Sequence, residues 1–493
     1  MRPNINLYEI NTRVWIKNFY PESGETITLD QVPDSYWDNL AELGIDFVWL
    51  MGVWKTCSST IDKYCFEEGL VKEYSNALRD WSHEDIIGSP YSIDTYVINP
   101  MLGSNESLIL LKEKLNKRGI KLMLDFVSNH YSADTSLLKT NPELFLPADS
   151  EIYARDPYTY FKPFKMDDVI YAHGRDPFFP AWKDTIQVNY FCKEAREYQI
   201  NLLKDISQLC DGLRCDMAML TLNNVFNNTW GGALNKMGYS MPDTQFWQEA
   251  INAIKIDNPE FVFLAEAYWD LEWELQQLGF DYTYDKKLID RIACGSPKDI
   301  LGHLYADPDY QERSCRFIEN HDEKRAVALL GKEKSMAAAT LISTLTGMRM
   351  FHDGQFEGKK IKLPVQLGRE PKEPILKCLQ DYYYKLLKIT KNDIFKYGDW
   401  HLITVLPVID TNYTFRNLIA YEWRYKYERI LVVVNLSNTT SIARIKLDVV
   451  GYPDNFELRD VLNNINYTRG SLESYHQGLF VELKPYRAHI FNY

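Results

Sequence analysis

No stretch of this 493-residue chain is long and apolar enough to span a bilayer. Its first ten residues, Met-Arg-Pro-Asn-Ile-Asn-Leu-Tyr-Glu-Ile, lack the apolar segment of a secretory signal. These two absences predict a cytoplasmic protein without a membrane partner. The eight cysteines form no CxxC pair and no Cys/His metal spacing, so they read as reduced thiols rather than a disulfide framework. Blocks of Lys and Arg are missing as well. With 55 basic against 68 acidic residues the net charge is -13, which repels polyanions and excludes nucleic acid from the expected partners. Neither internal repeats nor low-complexity tracts occur, which argues against a solenoid or a disordered chain. Oligomeric state is left open.

What is present is ordinary globular material, 45% hydrophobic and 25% charged, in a chain long enough for one large domain with smaller ones attached. Short apolar runs alternate with amphipathic stretches, the pattern of βα units around a parallel sheet. Eight strands are predicted: Leu7 to Val14, Phe47 to Met51, Leu122 to Val127, Gly212 to Asp216, Phe261 to Glu266, Gly279 to Tyr284, Arg316 to Glu319 and Met348 to Phe351. Helical patterns such as Leu108 to Asn116, Ala195 to Cys210, Gln245 to Ile256 and Met336 to Leu345 lie between them. The set predicts an α/β fold, a (β/α)₈ TIM barrel spanning 1-129 and 190-394. The long stretch 130-189 after the third strand predicts an excursion domain forming a lid or cleft wall. From about residue 395 the pattern turns to strand-like runs separated by turn residues, predicting a C-terminal antiparallel β-sandwich over 395-493.

Polar residues at the C-terminal ends of barrel strands converge on one pocket, so carboxylates there are candidates for chemistry. Four strand ends qualify: Asp125 with Asn129 and His130 after strand three, Arg214 and Asp216 on strand four, Glu266 ending strand five, and His321 with Asp322 after strand seven. Arg214 and Asp216, two apart on a strand, share one face, and a guanidinium beside a carboxylate favours its ionised form. An isolated R-x-D would be read as a structural ion pair. Glu266 ends the apolar run Phe-Val-Phe-Leu-Ala, a setting that raises a carboxyl pKa towards that of a general acid. Asn320-His321-Asp322-Glu323 alone would be read as a helix cap with a charged first turn. Trp54, Trp81, Tyr268 and Trp269, all near strand ends, are candidates to line a cleft or to pack beneath it.

Taken together, the four segments resemble the sequence regions of the alpha-amylase superfamily, glycoside hydrolase family 13, in the same order. Asp125-Phe-Val-Ser-Asn-His130 is similar to its D-x-V-x-N-H element, Gly212-Leu-Arg-Cys-Asp216 to G-F-R-x-D, and Phe317-Ile-Glu-Asn-His-Asp322 to F-x-x-N-H-D, with Glu266 heading the third region. Upstream, Tyr91-Ser-Ile-Asp-Thr-Tyr96 and Asn99-Pro100 resemble the family's Y-D-x-x-D-Y stretch and its N-P. The resemblance implies Asp216 as nucleophile, Glu266 as acid/base and Asp322 as the third carboxylate holding sugar hydroxyls. His130 and His321 would bind hydroxyls of the sugar under attack, Arg214 would set the nucleophile, Tyr91 would stack on the sugar ring, and Asp125 would be architectural. It implies a retaining α-glycosidase acting on α-1,4-linked glucans or maltooligosaccharides. Alternatives are an α-glucanotransferase or a sucrose-type phosphorylase with the same residues, and a non-catalytic carbohydrate-binding barrel. No cofactor is required, though Asn129 matches the family's calcium-ligand position and Asp184 is a conceivable partner for such an ion. The chain departs from the family after Asp216, where Met217-Ala-Met-Leu220 stands in place of a Lys-His pair serving acceptor sugars and calcium.

Overall fold

The computed structural model describes residues 4–163, 166 and 168–493. The first three residues of the N-terminal stretch and three within the excursion fall outside that set. Eight parallel strands close into a barrel: Asn6–Asn11, Phe47–Met51, Lys121–Val127, Gly212–Asp216, Val262–Ala265, Tyr282–Tyr284, Ser314–Arg316 and Met348–His352. Each pairs with its sequence neighbours, and the first closes on the last through Asn6 opposite Arg349. Helices such as Asn105–Asn116, Lys193–Leu209 and Phe246–Lys255 pack outside, burying Leu108, Leu111 and Leu115 from the first and Trp247, Ile251 and Ile254 from the last. That spacing of three and four residues is the single apolar stripe of a helix lying on a sheet.

Four predicted strands are longer than the real ones, the fifth by one residue at each end of Val262–Ala265. The first ends at Asn11, and Thr12–Trp15 forms a helical turn, although Val14 and Trp15 stay buried and continue the apolar signal. The sixth begins only at Tyr282, after Gly279 at φ +113°. The seventh runs Ser314–Arg316, ahead of the predicted Arg316 to Glu319, because its buried residues are Ser, Cys and Arg and the apolar Phe317-Ile318 pair lies beyond it.

After strand three the chain leaves the barrel. Gln187 pairs with His130 in a short antiparallel ladder, and a three-stranded sheet of Pro147–Ala148, Ile170–Ala172 and Tyr160–Phe161 lies beyond. Gly174 allows this segment to press on the cleft, since a Cβ there would lie 2.9 Å from that of His130. At the C-terminal end, a six-stranded and a three-stranded antiparallel sheet enclose Leu418, Leu431, Val433, Ala443, Ile445 and Val481. The central strands of the six-stranded sheet, Leu418–Tyr425 and Glu428–Asn435, are buried on both faces over most of their length. Tyr421, Trp423, Val432 and Val434 point the other way into the barrel's own core, with Trp423 Nε1 donating to Thr344 O at 2.7 Å.

Candidate active site at the barrel mouth

The barrel register places the two principal carboxylates. Cys215 pairs with Ala265, so Asp216 and Glu266, one residue further on, stand side by side at the ends of adjacent strands. Arg214 is fully buried and touches both: Nη1 donates to Asp216 Oδ1 at 2.7 Å, and Nη2 forms an ion pair with Glu266 Oε2 at 2.7 Å. Its guanidinium lies against the rings of Trp49, Tyr91 and Tyr284, and Nε donates to the Tyr284 hydroxyl. A planar cation walled by aromatic faces keeps its orientation.

Glu266 accepts from the backbone N–H of Met217 at 2.8 Å through Oε2 and from the Tyr268 hydroxyl at 2.8 Å through Oε1. Met217 takes a left-handed backbone, φ +41°, which costs a non-glycine residue about 1–3 kcal/mol and aims that N–H at the carboxylate. Burial raises the Glu266 carboxyl to about 7; Arg214 pulls against that shift and Asp216 adds to it. Burial also raises Asp216, opposed by the guanidinium and hydrogen bond of Arg214. One guanidinium cannot neutralise two carboxylates, so the buried trio is neutral only when one carboxyl keeps a proton.

Asp322 is open to the cleft, its side chain 46% exposed. Burial works to raise its carboxyl, but His321, whose Nε2 lies 2.9 Å from Oδ2, overrides this and holds it well below the usual range. His321 is itself pushed up to about 10: burial opposes the charge, and Asp322 and Glu9 more than compensate. Nδ1 lies 2.5 Å from Glu9 Oε1, and the Tyr91 hydroxyl lies 2.7 Å from Nε2 with the two rings stacked. His321 is therefore a buried imidazolium between two carboxylates.

The structure thus gathers Tyr91, Arg214, Asp216, Glu266, His321 and Asp322 in one place. His130 stands at the excursion's edge of it, packed on Trp182 and driven down to about 4 by burial, hence neutral. Asp125 lies beneath, taking Trp49 Nε1 and the Gly52 N–H on its two oxygens. Trp54 and Trp81 belong to the packing below rather than to the cleft. Trp54 is fully buried with Nε1 donating to Asp125 O, and Trp81 leans on Tyr74 in a satellite core. Tyr268 does reach the site, while Trp269 packs edge-on against the exposed Phe178 of the excursion at 4.9 Å. Glu9 and Tyr284 were not among the predicted site residues. Glu9, inside the first predicted strand, carried the same signal as Asp216, a carboxylate near a strand end.

Asn129, the candidate calcium ligand, is fully buried, and its Oδ1 accepts from the Gln187 side-chain amide at 3.0 Å. Among the described residues no group of three or more His, Cys, Asp or Glu side chains is placed to share a metal ion. Among the described residues the Asp184 side chain makes no hydrogen bond to Asn129, and burial raises its carboxyl to about 6. A donor set of neutral amides does not fit calcium, which takes six to eight oxygens, usually including carboxylates.

Comparison with known sequences supplies the family. Residues 35–373 match the model of the alpha amylase catalytic domain, more than two thirds of the chain. The chain belongs to the alpha-amylase catalytic-domain family. Among alpha-amylase relatives, Alpha-amylase 3 of Dictyoglomus thermophilum is 22% identical over 294 residues, covering 56% of this chain and 55% of the relative. Alpha-amylase MalA of Haloarcula japonica is 24% identical over 366 residues, covering 72% and 44%. The chain therefore spans about half the length of these two relatives. Among solved structures of the alpha-amylase fold, the maltogenic alpha-amylase AmyB of Thermotoga neapolitana superposes over 99% of this chain and 98% of its own, with a TM-score of 0.70 at 20% identity. The alpha-amylase of Geobacillus thermoleovorans, solved in complex with acarbose, gives 0.67 at 17% identity over 99% and 98%.

Proposed function

We propose that this protein is a retaining α-glycosidase acting on α-1,4-linked glucans or maltooligosaccharides through a covalent glycosyl-Asp216 intermediate. The observation that carries the reading is the single buried guanidinium of Arg214 touching both Asp216 and Glu266. It confines the two carboxyls to one small pocket, in keeping with the roughly 5 Å separation that double displacement requires. Arg214 and the ionised Asp216 cancel, leaving the shared proton on Glu266, whose value near 7 suits an acid at neutral pH. Asp216 would then attack the anomeric carbon while Glu266 gives its proton to the departing glycosidic oxygen. In the second half Glu266, now ionised, takes a proton from water, which attacks the same carbon and frees Asp216. Asp322, open to the cleft and held ionised by His321, would accept hydrogen bonds from hydroxyls of the reacting sugar, with Tyr91 and His130 beside it. Acarbose bound to the Geobacillus thermoleovorans enzyme and maltose bound to the cyclic maltosyl-maltose hydrolase of Arthrobacter globiformis support a glucan as the substrate class.

Transfer to a sugar is a second reading, favoured by one feature: Phe178 and Trp269 form an apolar edge beside the loop that carries Glu266, a surface on which an acceptor ring could lie. One experiment separates these outcomes. Incubation with maltooligosaccharides, sucrose and glycogen, with and without phosphate, is followed by NMR. First-formed α-anomer is expected, and a β-anomer would overturn Asp216 as nucleophile. Chain-length disproportionation would assign transfer, and glucose 1-phosphate would assign phosphorolysis.

A further inference from the structure

The junction between barrel and excursion is built around one side chain. Gln187 is fully buried at the end of the short ladder with His130. Its Nε2 lies 2.8 Å from Asn129 O, 3.0 Å from Asn129 Oδ1 and 3.0 Å from Val188 O. Three carbonyl oxygens converging on one point are the kind of half-shell that holds a hard cation. Here the atom at the convergence is an amide nitrogen with two hydrogens to share among them. Asn129 N and O frame the turn from strand three into His130, whose Nδ1 lies 3.4 Å from Asn129 Nδ2, and Val188 N donates back to Asn129 O at 3.1 Å. Both strands of the excursion's neck are therefore tied at this point.

We propose that the Gln187 side-chain amide takes the place of a bound cation at the barrel–excursion junction, so that this protein fastens its excursion without calcium. A cation there would need those three oxygens for itself, and Gln187 Nε2 occupies their common focus. Among the described residues no group of carboxylates is placed to offset a divalent charge there, and Asp184 uses its main-chain oxygen to accept from Ala133 N and Ser92 Oγ. The tie also differs in kind: the stabilisation an ion gives depends on its free concentration, growing with its logarithm and vanishing when the ion is removed, whereas a covalently attached amide is always present. Gln187 Oε1 is left buried without a hydrogen-bond partner, which fits an amide oriented by its nitrogen rather than its oxygen. The inference does not depend on which reaction the cleft performs.

The test uses the full chain. Protein purified without added metal is assayed for calcium by mass spectrometry, and its melting temperature is recorded in EDTA and in millimolar calcium chloride. The expected result is substoichiometric calcium and a Tm that agrees within about 1 °C between the two. One retained calcium per chain, or a Tm that falls in EDTA and recovers with calcium, would overturn the proposal. Gln187→Glu adds a second measurement, because it turns the donor into a carboxylate facing three carbonyl oxygens. Its Tm in EDTA is expected to drop by several degrees, with calcium now raising it. A variant as stable as the parent in EDTA would equally overturn the proposal, while a variant destabilised or unable to fold in EDTA supports the amide as the tie.

Discussion

Two buried clusters in this barrel use the same residue types and differ in arithmetic. At the mouth, Arg214 faces Asp216 and Glu266, with Asp125 at 3.9 Å and an imidazolium, His321, nearby. Behind strands six and seven, Arg316 is bonded to Asp285, which also accepts from His303 Nε2 at 2.8 Å, while the other Arg316 nitrogen is bonded to Gln311. In that second cluster one cation meets one carboxylate, and His303 is driven down to about 4 by burial and stays neutral. Every charge has a partner, and nothing is left to give away. At the mouth carboxylates outnumber the guanidinium, and burial raises both Glu266 and Asp125 to about 7, so the surplus is held as protons. An excess of like charge, rather than the presence of Arg, Asp and His, sets the proposed reactive cluster apart.

The sharpest way to break the comparison is to neutralise one aspartate in each cluster. Asp216→Asn is expected to lower turnover on maltooligosaccharides by about 10⁴-fold or more while leaving Tm unchanged or raised, measured on the same preparation. Asp285→Asn is expected to do the reverse. Leaving Arg316 buried and uncompensated costs about 3–5 kcal/mol, read as a lower denaturation midpoint, with turnover per folded molecule preserved.

A smaller effect follows from the proton on Glu266. Its carboxyl rises from an ordinary 4.5 to about 7, so its contribution to stability is fully present below pH 4.5 and is lost as pH climbs through about 7. Glu266→Gln removes that loss. The variant should gain on the parent between pH 5 and 8 by on the order of 2–3 kcal/mol, seen in denaturant midpoints across that range. In the parent, kcat/KM should decline above about pH 7 as the acid deprotonates.

Glu9→Gln weakens the support of His321. The imidazole is expected to titrate at least one unit lower than its parent by NMR, and kcat to fall about tenfold as Asp322 loses a charged neighbour. Stability held by His321 is present below about pH 6.5 and lost as pH rises through about 10, so the variant should differ from the parent most at or below neutral pH. The smallest change expected is from Trp269→Ala. Losing one aromatic face to a sugar ring is worth about 1 kcal/mol, a several-fold rise in KM for longer oligosaccharides with kcat little altered.

Strand-end logic found the mouth cluster in the sequence because β-strand geometry alone decides which residues share a pocket. Asp216, Glu266 and the His321-Asp322 pair needed no knowledge of helix packing. Glu9 escaped because the predicted strand overran it, the apolar signal continuing through Val14 and Trp15 into a helical turn. The sealed cluster was silent for another reason. Arg316 and Asp285 look like surface charges in one dimension, and only the helices Lys286–Cys294 and Pro297–Leu304 folding over them make them internal. The strands missed in the C-terminal sheets, Asp399–Leu402, Val405–Leu406 and Ile465–Gly470, are partly exposed and edge or near-edge, so they lack the apolar runs that announced Leu418–Tyr425 and Glu428–Asn435. Gln187 carries no one-dimensional mark at all.

The two-sided burial of the central strands of the six-stranded sheet ties the barrel wall to a distant part of the chain. The strand Ala488–Asn492 lies inside that sheet, between Glu428–Asn435 and Asn455–Asp460. The sheet that backs the barrel wall is thus completed by a strand more than a hundred residues beyond Asp322, so the wall beneath the cleft depends on a distant part of the chain outside the barrel.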